Sequence, residues 1–171
     1  AFVALRSKEI DAVVAEARAR EMDLTHFGLS TLRRAYLLRM PDGSPVETPA
    51  YMWMRVALGV SGRGDGAYDW DRALEVFDLL SRRRATLATP TLFNSGTPRP
   101  QLSSCFLVTA KDDSIEGIFN TVSECAAISK YSGGIGLSVS HIRATGSYIK
   151  GTGGTSNGIL PMLKVFNATA R

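Results

Sequence analysis

Residues 128–154 read ISKYSGGIGLSVSHIRATGSYIKGTGG. Ser132-Gly133-Gly134 is the kind of string on which helices commonly stop. Residues 135–142 then alternate partly, with small side chains, and predict a strand. Residues 143–155 are a Gly/Thr/Ser loop. Gly133, Gly134, Gly136, Gly146, Gly151, Gly153, Gly154 and Gly158 are eight of the 16 glycines in the chain. Glycine that dense marks loops that approach something closely or must move.

Working outward, Asp112-Asp113-Ser114 precedes a helix over residues 114–131. Asp113 and Glu116 have capping-box spacing, and Ile115, Ile118, Phe119, Val122 and Ala126 form an apolar stripe. Upstream, SSCFLVT at residues 103–109 predicts a short strand. Downstream, Ser156 or Asn157 caps a last helix, with Pro161 in its first turn and Leu160, Leu163 and Phe166 along it. The order strand–helix–strand–loop–helix gives an α/β fold class. Two phosphate-binding motifs fail here. No G-x-x-x-x-G-K-[ST] string exists. Both near matches to G-x-G-x-x-G lack the third glycine, having Val139 after Gly134 and Gly136, and Ser156 after Gly151 and Gly153.

Residues 1–85 read as mostly helical. A first helix starts near Ser7 and reaches Met22, with Ile10, Val13, Val14 and Ala17 at helical spacing. Residues 25–40 predict a second, ended by the turn Pro41-Asp42-Gly43. Thr48-Pro49 opens a third with Met52, Val56 and Val60 on its face. A fourth spans residues 69–84 and carries Leu74, Phe77 and Leu80. Its closing triplet Arg82-Arg83-Arg84 suits a phosphate, but reads more simply as a complement to the helix dipole. Residues 89–98 read as a loop with a short apolar core. The expected division is therefore a helical region over 1–85 and an α/β portion over 86–171.

Composition bounds the function classes. The chain has 171 residues, 44% hydrophobic and 21% charged, which excludes a disordered tail or a disulfide scaffold. Twenty Lys plus Arg against 16 Asp plus Glu give +4, too mild to signal nucleic-acid binding. No stretch nears the roughly 18 apolar residues of a membrane span. Two cysteines, Cys105 and Cys125, fit a reducing compartment. No CxxC or His-rich cluster occurs, and His26 and His141 are isolated, so no metal site is expected. Cys125 falls at helical spacing with Ile118 and Val122, which predicts burial. Cys105 lies in the strand candidate, and periodicity does not reject for it the commonest role of a free cysteine, a small buried hydrophobe.

One constellation carries further chemistry. A carboxylate at the helix start, Asp113 beside Ser114, can accept from a sugar hydroxyl. Lys130, Arg143, Lys150 and the backbone of Gly151 can meet a polyphosphate. Together they suit a nucleoside triphosphate. Spacing alone favours the plainer alternative of a capped helix and a solvated loop.

The strings ATPTLFNSGTPRPQLSSCFL, DDSIEGIFNT, ISKYSGGIGLSVSHIRATGSYIKGTGG and SNGILPMLKVFNATAR closely resemble the large, catalytic subunit of ribonucleoside-diphosphate reductase, almost continuously from Ala88 to Arg171. Residues 25–85, with TPAYMWMRVALGV, are similar to the helical region that precedes that family's barrel. The resemblance implies a helical N-terminal region followed by the first part of a ten-stranded α/β barrel. It implies thiyl-radical reduction of ribonucleoside diphosphates, with Cys105 as half of a redox-active disulfide and Thr89 and Ser104 as substrate-binding residues. Asp113, Ser114, Ile115, Lys130, Arg143, Lys150 and Gly151 then fall on the site for ATP or dNTP effectors, at the interface of a homodimer formed by helices like 114–131 and 157–171. The implied partners are a radical-generating, metal-containing small subunit and thioredoxin or glutaredoxin, in the cytoplasm. No cofactor is implied for this segment itself. Adenosylcobalamin is the alternative radical source if the chain is of the cobalamin-dependent type. A non-catalytic nucleotide-binding module is a further alternative, against which stand Cys105, Thr89 and Ser104. The chain is expected to be a segment of such an enzyme, without reductase activity alone.

Overall fold

Helix α4, Pro49–Val60, is buried on nearly every side, and it organises the first half of the molecule. Ala50, Met52, Trp53, Met54, Val56, Ala57 and Leu58 all lie in the core, as expected of a helix surrounded by others. The computed structural model describes residues 6–63 and 67–170. They form two units, Ala1–Leu102 and Ser103–Arg171.

In the first unit, α1 (Ser7–Ala17) buries Ile10, Val14 and Ala17. It is interrupted at Arg18, whose N–H bonds the Ala15 carbonyl at 3.3 Å, and α2 (Ala19–Met22) follows. The next helix is shorter than the sequence predicts. α3 (His26–Thr31) is capped by Thr25, whose Oγ1 accepts from the Gly28 N–H at 3.1 Å. It widens into a π-helical turn over Leu32–Tyr36 and stops. The reason lies in the following residues, whose backbone donors are used elsewhere. Leu38 N–H donates to Glu47 Oε1 at 2.9 Å, Met40 N–H to the Ser44 carbonyl, and Val46 N–H to the Leu38 carbonyl.

α5 (Trp70–Ser81) packs on α4 through Ala73, Phe77 and Leu80, and Asp69 caps it by accepting from the Arg72 N–H. It ends at Ser81, three residues before the predicted end. Arg83 takes the left-handed position (φ 58°), with Arg83 N–H on the Leu80 carbonyl and Arg84 N–H on the Leu79 carbonyl. This is a Schellman cap. The arginine triplet therefore follows the last turn. Two members are already paired with carboxylates, Arg82 with Asp78 at 2.7 Å and Arg83 with Asp23 at 3.8 Å.

Residues 89–98, predicted as a loop, contain the short helix α6 (Thr89–Asn94), with Pro90 in its first turn. Arg55 of α4 explains its stability. Its guanidinium donates to the carbonyls of Leu92 (3.2 Å) and Ser95 (2.7 Å) and, bidentately, to Glu47 (2.8 and 2.9 Å). The two side chains are 11% and 8% exposed. The pair is thus buried and fully bonded, the one setting in which it holds its place well. Gly59 permits the approach of α4 to the end of α6, since a Cβ there would lie 2.2 Å from Ser95 Oγ.

The second unit is a β–α–β arrangement with one further helix. β1 (Cys105–Thr109) and β2 (Gly134–Ser138) pair in parallel, Cys105 opposite Gly134 and Thr109 opposite Ser138. α7 (Ile115–Lys130) joins them, and α8 (Leu160–Thr169) packs on α7. Val108, Ile118, Cys125 and Phe166 form the core, with Phe166 coming from α8 and Ile135 and Leu137 packed beside them. The opposite sheet face is uncovered, and Leu107 is 94% exposed. Parallel sheets are normally covered on both faces. Among the described residues β1 and β2 pair only with each other. A helical region followed by a half-covered parallel pair is the architecture expected of a barrel's opening.

Three local expectations are corrected here. Asp113 and Glu116 do not form a capping box. Ser114 is the cap, its Oγ accepting from the Gly117 N–H at 3.0 Å, because Asp113 is engaged by Arg143. α8 begins at Leu160 with Ile159 at the cap position, and Ser156 instead accepts from the Gly158 N–H. The predicted stripe of α7 splits. Ile118 and Cys125 are buried with Thr121, whereas Ile115 (67%) and Phe119 (51%) are exposed, as is Ala126. At the end of α7 the left-handed residue is Ser132 (φ 62°). Gly133 is needed for space, since its Cβ would sit 2.7 Å from the Phe106 ring.

Two tests follow from the packing. Arg55→Met leaves the Glu47 carboxylate buried without its partner and is expected to lower stability by about 3–5 kcal/mol, read from the denaturant midpoint; an unchanged midpoint would remove the clamp from the fold. Cys105 is exposed and Cys125 buried. Burial, and next the charge of Glu124, push the Cys125 thiol up, so its thiolate fraction at pH 8 falls. Iodoacetamide should alkylate Cys105 first and Cys125 only on unfolding, as peptide mapping by mass would show.

Candidate functional site

Strand alternation decides where Cys105 points. Phe106 and Val108 face α7, so Cys105, Leu107 and Thr109 face the uncovered side. Cys105 is exposed, and Ser104 Oγ lies 3.6 Å from its Sγ. Opposite stands Gly134, where an added Cβ would come 4.0 Å from that sulfur and 3.2 Å from the Ser104 carbonyl. The thiol therefore has open space before it and glycine beside it. Cys125 lies on the other side of the sheet, in the core. Thr89 is the first residue of α6, in the first unit. It is exposed, with its Oγ1 3.3 Å from the Tyr36 hydroxyl.

At the N-terminal end of α7 lies a cavity of about 430 Å³. Asp113, Ser114, Ile115 and Arg143 line it, as the sequence grouping predicts. Arg143 is spread over three acceptors. Its Nε donates to Asp113 Oδ2 at 2.5 Å, and its terminal nitrogens to the carbonyls of Asp113 (3.0 Å) and Tyr148 (3.3 Å). Ile118, Ile142, Ile149 and Met162 add apolar wall, and Thr155, Ser156 and Asn157 add polar groups. A volume of this size accepts a small organic ligand, with apolar walls for a flat ring and a cation at the rim.

Sequence reasoning missed the wall residues from Ile142 to Met162. The glycine loop is a hairpin rather than an open strap. Tyr148 bridges Thr155, Ile149 N–H meets the Gly154 carbonyl, and Gly146 N–H meets the Ser156 carbonyl. Tyr148-Ile149 and Thr155 flanking a Gly-rich tip was the available signal. This hairpin carries Ile149 into the cavity wall and leaves Lys150 and Gly151 at its tip, outside the lining. Gly151 (φ 102°) adopts a backbone that only glycine takes easily. Lys130 is at the opposite end of α7, about 23 Å along a helix of 16 residues, with its ammonium 5.7 Å from the Tyr131 ring centroid. The structure thus brings four of the seven predicted nucleotide residues together. Among the described residues no group of three His, Cys, Asp or Glu side chains converges as metal ligands, and no helix is long and apolar enough to cross a membrane.

Comparison with known proteins divides the chain where the two structural units meet. Residues 22–100 match the all-alpha domain of ribonucleotide reductase, and residues 103–171 match its barrel domain. The chain is 59% identical over 152 residues to the ribonucleoside-diphosphate reductase large chain of Schizosaccharomyces pombe, covering 89% of this chain and 18% of that protein. The large subunit of Arabidopsis thaliana gives the same figures. That of Plasmodium falciparum is 52% identical over 165 residues, covering 96% of this chain and 19% of the relative. The chain spans less than a fifth of the length of these curated relatives. Matched almost end to end by the two domain models, it belongs to the ribonucleotide reductase large-subunit family.

Proposed function

We propose that this chain is the part of a ribonucleoside-diphosphate reductase that supplies one redox thiol, substrate-phosphate contacts and an effector site. The observation that carries the reading is the position of Cys105. It stands exposed on the bare face of a parallel sheet beside Ser104, where a core cysteine would not be.

In this reading a thiyl radical on a cysteine elsewhere in the enzyme takes the 3′ hydrogen of a ribonucleoside diphosphate and later returns it. The 2′ hydroxyl leaves as water. Cys105 and a second thiol together give two hydrogens, one to that water and one to C2′, and close a disulfide. Thioredoxin or glutaredoxin reopens it by thiol–disulfide exchange. Thr89 and Ser104 offer hydroxyl donors to the substrate. A separate metal-containing subunit supplies the radical.

The cavity at the start of α7 is the effector site for ATP or a dNTP. Asp113 accepts from the ribose, Ser114 and Ile115 follow at the helix start, and Arg143 turns to the phosphates. The energetics favour that turn. The Arg143–Asp113 pair is about one-third exposed on each side, so it contributes roughly 0–1 kcal/mol. A charge-assisted bond to a polyphosphate contributes roughly 1.5–3 kcal/mol. Lys150 and Gly151, at the hairpin tip, fold over the phosphates. Lys130 reaches them from a second copy of the chain. If α7 packs antiparallel to its own copy across a twofold axis, each Lys130 comes beside the other Asp113. The exposed Ile115, Phe119 and Ala126 supply the apolar contact.

Two experiments test the halves separately. Cys105→Ser in the full-length enzyme should abolish repeated turnover with thioredoxin; undiminished turnover would take Cys105 out of the mechanism. Arg143→Ala should weaken triphosphate binding to the dimer about tenfold or more by calorimetry. If neither dTTP nor dATP binds the wild-type dimer, the effector assignment falls.

A further inference from the structure

The hydroxyl of Thr89 is held, within the first unit, by a residue that no role above assigns. Tyr36 is the last residue of the π-helical turn Leu32–Tyr36. Its hydroxyl lies 3.3 Å from Thr89 Oγ1. Its ring stacks on Phe93, centroid to centroid 5.0 Å with 26° between planes. Thr89 and Phe93 are four apart and so share one face of α6, and Tyr36 grips that face at both positions. The other end of α6 is tied to the same stretch of chain. Arg55 binds the Leu92 and Ser95 carbonyls together with Glu47, and Glu47 accepts from the N–H of Leu38, two residues past Tyr36.

We infer that Tyr36 is a positioning residue for substrate. It donates its phenolic hydrogen to Thr89 Oγ1 and so turns the Thr89 hydrogen toward a phosphate oxygen of the diphosphate. The inference rests on the proposed role of Thr89 as a phosphate contact. Its logic is a donor count. A threonine hydroxyl has one hydrogen and two lone pairs. A phosphate oxygen only accepts, so Thr89 must spend its hydrogen there. Its lone pairs are then all it can offer Tyr36, which must be the donor. The two bonds polarise in the same direction and strengthen each other. The Phe93 stack fixes the ring, so the phenolic oxygen is in place before substrate arrives. The π-helical turn places that ring against α6, and wide turns of this kind are frequent at functional sites.

The test uses the full-length reductase containing this chain, assayed with its radical-generating subunit. Tyr36→Phe keeps the ring and its stack and removes only the hydroxyl. It should raise KM for the ribonucleoside diphosphate about three- to tenfold, the worth of one hydrogen bond, with kcat and the thermal midpoint unchanged. Thr89→Val should raise KM as well. The double variant should be no worse than Thr89→Val alone, because Tyr36 acts through that hydroxyl. If Thr89→Val raises KM and Tyr36→Phe does not, or if their effects add, the positioning role is overturned and the role of Thr89 stands. A lowered thermal midpoint with unchanged KM would make Tyr36 a packing residue only. If Thr89→Val leaves KM unchanged, the reading of Thr89 fails and this inference fails with it.

Discussion

The parallel register of β1 against β2 governs what the second unit can do. Cys105 pairs with Gly134 and Phe106 with Ile135. Because side chains alternate, this register sends Phe106, Val108, Ile135 and Leu137 toward the helices, and Cys105, Gly134 and Gly136 away from them. A slip of one residue would bury the thiol and expose the aromatic ring. The register is held from several directions. The Gly134 N–H donates to the Ser104 carbonyl at 2.7 Å, and the Ala110 N–H to the Ser138 carbonyl at 2.9 Å. The close approach of Gly133 to Phe106 and Ile128 admits no larger residue. The proposed role of Cys105 depends on this constraint, since it needs the thiol to point away from the core.

The first unit solves a related problem with charge rather than strands. α6 has six residues and makes few helical hydrogen bonds of its own, and so short a helix is marginal alone. It is held by a buried ion pair reaching across from α4, by the Oγ of Ser95 donating to the Val56 carbonyl at 3.0 Å, and by Asn94 donating to the Gln101 carbonyl at 2.9 Å. All of these bonds are directional. They fix the rotation of α6 about its axis as well as its location, and rotation is what determines where the Thr89 hydroxyl faces.

What was legible in the sequence is what periodicity and stop signals encode locally. The helices opened by Thr48-Pro49 and Asp69, the strands around Cys105 and Gly136, and the burial of Cys125 follow from spacing alone. The failures share a cause. The α6 stretch has the local signature of a loop because Arg55, the residue that holds it, is 37 positions from Leu92. The capping box at Asp113 lost to Arg143, 30 residues away. The long helix over 25–40 was cut short because a hairpin took its backbone donors. In each case a polar contact from outside the local pattern, 9 to 37 positions away, overrode a sound local rule. The lining of the cavity at the start of α7 is legible mainly where it is contiguous. Asp113, Ser114 and Ile115 are contiguous in sequence, whereas the Ile142, Ile149 and Met162 walls are assembled by a hairpin and a helix that meet only in the fold.

If the cavity takes an effector as proposed, the Arg143–Asp113 pair gives it a way to report whether it is filled. One guanidinium ties the start of α7 to the Tyr148 carbonyl at the base of the hairpin. In the proposed reading, a polyphosphate that recruits Arg143 would release Asp113 to a sugar hydroxyl and loosen that tie. The hairpin and α7 would then exchange a weak, partly exposed pair for a stronger charge-assisted bond, so both elements would sense occupancy of the cavity. Couplings of this kind are typically about 1–3 kcal/mol and are reciprocal. α7 begins at the cavity and ends directly before β2, the strand that lies beside Cys105. In the proposed reading, a change in how its first turn is held would reach the sheet that carries Cys105 through one continuous, packed element.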